Sequence, residues 1–155
     1  MCCRRGPQRG RSSQDSLLNW RRMAIDVSYT DSGDARNDLT QAFVSITDQY
    51  TGVDGRIFRE LLAAAVLEPE GAQLMREKFF LYRRESLLAI WQQGVCRGQL
   101  SPDVDPEDGI DLIFGAGVFR ILLGQHPIGG EHSRRLAQAA LGGIASHAPS
   151  GQQTH

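Results

Sequence analysis

The chain has 155 residues, 17 basic against 18 acidic side chains and 41% apolar residues, enough for one domain around one core. A net charge of -1 excludes a protein held to nucleic acid by bulk electrostatics, and 23% charged residues among scattered aliphatics exclude a disordered one. No run approaches the roughly 18 uncharged apolar residues that span a bilayer, and three cysteines make no disulfide framework, so the expectation is a soluble, cytoplasmic globular domain.

The first 22 residues carry Arg4, Arg5, Arg9, Arg11, Arg21 and Arg22 against Asp15 alone, a local +5 that leaves -6 on the other 133. Residues 1–13 have no apolar period and suggest a disordered basic tail. No apolar stretch follows to make a signal peptide, and Gly6, Pro7 and Gly10 oppose the amphipathic helix of a transit peptide. An arm that touches nucleic acid is the alternative to a solvated tail.

Helices follow one another. Leu17, Leu18, Met23 and Ala24 share a helical face over about Asp15 to Ile25. Turn residues from Ser28 to Gly33 precede Asp34, which can cap a helix over about Ala35 to Tyr50 with the stripe Leu39, Phe43, Ile46 and Tyr50. After Gly52 and Asp54 another helix carries Ile57, Phe58, Leu61, Leu62, Ala65 and Val66. Pro69 suits the first turn of a fourth, which runs to about Arg97 without a proline and would be roughly 40 Å long. Its apolar residues Leu74, Leu81, Leu88 and Val95, flanked by Phe80, Leu87, Trp91, Met75, Tyr82, Ala89 and Cys96, cover most of its girth, which predicts a central post. Arg76, Arg83, Ser86, Gln93 and Arg97 form its expected wet face.

Gly98 ends that helix, and Asp105-Pro106-Glu107-Asp108 starts the next with a capping acid, a first-turn proline and acids at the positive dipole end. Between Asp111 and Arg120 nothing is charged, so a helix this greasy all round needs cover on two sides. One cover would be the core and the other a second copy of the chain. The last helix, about Glu131 to Ala145, places Leu136, Ala140 and Gly143 on one side with Leu141 and Ile144 nearby, and residues 148–155 suggest a polar tail. No alternating strand pattern occurs, so the expected fold is all-α, a bundle of about six helices over residues 14–147.

Catalytic and metal patterns are weak. The four histidines make no pair at one-turn spacing, and there is no CxxC, phosphate loop or GxSxG, so neither a metal, a cofactor nor an enzyme activity is expected. Cys96 suits a small buried hydrophobe better than a nucleophile. Glu77, Lys78, Arg84 and Glu85 suit surface ion pairs. Lys78, Glu85 and Gln92 lie between two apolar columns and would line a small-molecule pocket if they face inward, or else reach out to water. The aromatics Phe43, Tyr50, Phe58, Phe80, Trp91, Phe114 and Phe119 suit core packing singly, but together they are numerous enough to line a pocket.

The stretch from Leu61 to Gly143 resembles the C-terminal regulatory domain of TetR-family transcriptional regulators. The matching residues are Leu67-Glu68-Pro69-Glu70, Arg83, Gly94-Val95-Cys96-Arg97-Gly98-Gln99-Leu100, Asp103, Asp105-Pro106-Glu107, Asp111-Leu112-Ile113-Phe114-Gly115, Phe119 to Gly124, Pro127 and the run from Leu136 to Gly143. The segment Asp15 to Ile25 resembles the helix that joins such a domain to its DNA-binding head. Residues 1–13 do not resemble a helix-turn-helix, so DNA contact would require a head absent from this chain. The resemblance implies a repressor's sensing domain: a homodimer whose last two helices pair with those of a second copy, and a small, largely apolar effector. The implied effector contacts are Phe43, Tyr50, Phe58, Leu62, Phe80, Arg84, Trp91 and Phe114. The implied dimer contacts are Phe114, Val118, Ile121, Leu122, Leu136, Ala140, Gly143 and Ile144. A helical interaction module or a cofactor-free enzyme is the alternative.

Overall fold

The computed structural model describes residues 31–77, 81–124 and 126–144. The expected helix at 15–25 and the expected tails at 1–13 and 148–155 lie outside them. Among the described residues the chain is all-α, six helices with no strand.

Helix α1 (Ala35–Gln49) begins where the Asp34 carboxylate accepts the amides of Arg36 and Asn37, at 3.0 and 3.1 Å. This satisfies two of the donors that every helix leaves open at its start. Its stripe Leu39, Phe43, Ile46 and Tyr50 is buried, as are Asp38, Thr40 and Thr47 on other sides. A helix buried on several sides is the middle of a bundle, and α1 packs against three of the other helices. The centre is therefore α1, not the expected post at 69–97.

That post is two elements. Helix α2 (Val53–Leu67) leads into α3 (Pro69–Met75), with Pro69 in the first turn where a lost N–H costs little. These two pack together as a layer. Residues 76 and 77 continue in π-helical form, and α4 (Leu81–Cys96) then packs on α1 instead. Gly98 (φ +68) turns the chain, and the Gln99 side chain closes onto the start of α1, accepting from the Ala35 amide and donating to the Gly33 carbonyl, both at 2.9 Å. Arg97 and Asp31 pair beside it, and Arg97 holds the Asp31 carboxyl below the usual carboxylate range.

Helix α5 (Pro106–Leu123) is capped by Asp105, which accepts the Glu107 amide at 2.8 Å, and it ends at Gly124 in the left-handed conformation. Helix α6 (Gly130–Ile144) buries Ser133, Ala137 and Leu141, spaced by one turn, and packs against α1. The Thr47 and Ser133 hydroxyls meet at 2.7 Å inside that contact, and the Gly129 amide donates to Ser133 at 2.8 Å.

Two apolar clusters result. One gathers Leu39, Phe43, Leu87, Ile90, Trp91, Leu100, Ile110, Ile113 and Leu141, and the other Ile46, Tyr50, Phe58, Leu62, Ala65, Met75 and Ile121. Phe114 and Ile128 touch both.

Candidate functional site

A cavity of about 360 Å³ opens along the seam between the two clusters. Helix α1 supplies Phe43, Ile46 and Thr47, with Tyr50 just beyond its end, α2 supplies Phe58, and α4 supplies Arg83, Arg84 and Leu87. The remaining wall is one face of α5: Ile110, Asp111, Phe114, Gly115, Gly117, Val118 and Ile121. The aromatic rings are fixed by one another. Phe43 and Phe114 meet edge to face at 5.3 Å, and Tyr50 stacks on Phe58 at 4.3 Å. Gly117 admits Phe43 to the seam, since a Cβ there would lie 2.6 Å from its ring.

Two neighbouring arginines behave differently. Arg84 bonds Asp111 (2.8 Å) and Glu107, both on α5, and these carboxylates, Asp111 foremost, hold its guanidinium more firmly protonated than usual. That group ties α4 to the first turns of α5 at the cavity's edge. Arg83 is buried, 8% exposed, and its Nη1 donates to the Tyr50 hydroxyl at 2.6 Å. It was expected on the wet face of its helix; instead it lies in the cavity wall.

Of the effector contacts suggested by the sequence, Phe43, Tyr50, Phe58, Arg84 and Phe114 come together around this cavity. Leu62 lies in the second cluster, and Trp91 is wholly buried in the first, its ring against Gly109. Phe80 and Lys78 lie outside the described residues. Glu85 and Gln92 are exposed, so their strip turns to water rather than lining a pocket. The wall residues Ile46, Thr47, Leu87 and Ile110 escaped the sequence reading, although Ile46 belonged to a recognised stripe. The sequence put Arg83 on the wet face and Arg84 at the effector, whereas Arg83 is the buried one and Arg84 is tied to α5.

The opposite face of α5 is open. Leu112, Phe119 and Leu123 are 50–60% exposed and, with Ala116 between them, fall at spacings of four, three and four. At 100° per residue this stripe lies about half a turn from Phe114, Val118 and Ile121, which face the cavity. Of the residues suggested for a dimer contact, Ile121 is therefore buried within its own subunit, at 4% exposure. Leu122 is exposed beside the stripe, Leu136 and Ala140 are half-buried on α6, and Gly143 is exposed. For Ile144 only its place in α6 is described. Among the described residues no group of three His, Cys, Asp or Glu could hold a metal, and no helix is long and apolar enough to cross a membrane.

Residues 29–140 match a family model described as the tetracyclin repressor-like C-terminal domain. The chain is 27% identical over 114 residues to the uncharacterized HTH-type transcriptional regulator YdeS of Bacillus subtilis (strain 168), across 74% of this chain and 58% of that protein. It thus spans well under two thirds of this curated relative's length. Its fold is similar to the crystal structure of the TetR family transcription regulator SCO0332, with a TM-score of 0.69 and 26% identity over 85% of this chain and 80% of that one.

Proposed function

The chain belongs to the TetR family of transcriptional regulators, through their tetracyclin repressor-like C-terminal domain, and from that membership we propose that it is the effector-sensing and dimerisation module of a repressor. The observation that carries this reading is the double role of α5. One side of the helix walls a cavity of about 360 Å³ and the other presents Leu112, Phe119, Leu122 and Leu123 to solvent. A volume at the lower end of the range for small-ligand sites, lined mainly by apolar and aromatic groups, suits a small effector. An exposed apolar stripe on a helix suits burial against a second copy.

Because one rigid helix serves both surfaces, an effector that favours one position of α5 would shift the pairing of the subunits, and with it the spacing of whatever they carry. DNA contact, which the name of the Bacillus subtilis relative implies for that regulator, would need a helix-turn-helix head beside this domain. The role is regulatory rather than catalytic, in the cytoplasm.

Sedimentation equilibrium tests the reading. The wild-type chain should sediment as a dimer, and Phe119→Arg, which sets a charge in the stripe without touching the cavity wall, should give a folded monomer. A wild-type monomer at concentrations on the order of 100 µM would overturn the dimer; weak interfaces of standard size already bind in the micromolar range.

A further inference from the structure

Every polar side chain that the described residues bring into the cavity wall is already engaged by the protein. The Thr47 hydroxyl bonds to the Phe43 and Val44 carbonyls and to the Ser133 hydroxyl. Arg83 donates to the Tyr50 hydroxyl at 2.6 Å, and both groups take part in further interactions. Arg84 and Asp111 are joined at 2.8 Å, and Glu107 completes their bridge. Two arginines therefore stand against two carboxylates, and the formal charge at the cavity is zero. The remaining side chains of the wall are hydrocarbon, with Phe43 and Phe114 edge to face and Tyr50 flat on Phe58.

We propose that this cavity selects an uncharged aromatic molecule of about two rings, held by ring contacts and shape, and rejects ions of either sign. The proposal rests on the cavity being the effector site. A cavity of about 150 Å³ holds a single benzene ring, so one of about 360 Å³ holds two. An ion that entered would lose its hydration and meet no unengaged counter-charge among these groups. To gain one it would have to break the Arg84 bridge or the Arg83 bond to Tyr50. A neutral ring carries no such penalty, and its contacts with the wall rings add to the gain from burial.

Isothermal titration of the full chain at neutral pH with four probes of similar size tests this: 2-naphthol, decahydro-2-naphthol, 2-naphthoate and 2-naphthylmethylammonium. The uncharged aromatic 2-naphthol should bind tightest, and each ion about tenfold or more weaker. The saturated alcohol should be weaker by about two- to tenfold, the worth of one aromatic contact. Val118→Phe, which fills the cavity from α5, should weaken 2-naphthol several-fold. Should that variant fail to fold, Gly115→Leu serves the same end, since a Cβ there meets nothing within 4 Å. Asp111→Asn leaves one arginine charge unmatched and should raise the affinity of 2-naphthoate relative to 2-naphthol several-fold. An unchanged ratio in that variant would overturn charge balance as the cause. Either ion binding as tightly as 2-naphthol to the wild-type chain would overturn the neutral preference, and equal affinity for decahydro-2-naphthol the aromatic one, while leaving the effector cavity standing. No binding by any of the four, or binding untouched by the filled cavity, would overturn the cavity as an effector site, and this proposal with it.

Discussion

Arg83 and Arg84 are chemically identical neighbours that the fold separates into two roles, one inside a cavity wall and one in a bridge to α5. A rotation of 100° between successive helical residues is enough to do this. The same sensitivity to single atoms governs the helix contacts. A Cβ on Gly109 would collide with the Trp91 ring, which is wholly buried and has no room to retreat. Overpacking of this kind typically costs about 1–3 kcal/mol, so Gly109→Ala should lower the denaturant midpoint accordingly with an unchanged slope. An unaltered midpoint would mean that α4 and α5 slide apart more easily than their packing suggests. Residue-scale roles of this sort were invisible beforehand. No sequence pattern pointed from Gly109 to the indole above it.

At the scale of elements, boundaries followed local chemistry closely. Asp34, Pro69, Gly98, Asp105-Pro106 and Gly124 all act where their capping or turning preferences put them, because a helix end needs partners for its open amides and carbonyls whatever the rest of the fold does. Asp105→Ala should accordingly destabilise the chain by about 1 kcal/mol, measurable by chemical denaturation, with Asp105→Asn retaining most of the cap. The failure at this scale is equally specific. The run 69–97 held no proline to divide it, yet α3 packs with α2 while α4 packs with α1 and α5. Which layer a segment joins is a matter of its neighbours, and residues 76 and 77 change their helical form between the two.

For the molecule as a whole, α5 is the decisive element, walled by core on one side and open on the other. If the open stripe is covered by a second copy, folding and pairing are linked by mass action. The melting temperature of the wild-type chain should then rise with protein concentration, and that of Phe119→Arg should not. A concentration-independent wild-type melt would separate the two events.

The all-α class and five of the helix starts and stops could be derived from the chain alone, since periodicity and caps are local properties. So could the apolar character of the helix at 106–123 around its whole girth. Its orientation could not. Val118 and Ile121, suggested for a partner's surface, and Phe114, suggested for both surfaces, face the cavity, while Leu112 and Phe119 face out. A helix that is apolar around its whole circumference carries no moment to fix its rotation, so the packing of its neighbours chose the face, and the same absence of a preferred side on α4 left the inward turn of Arg83 to be settled by the assembled bundle.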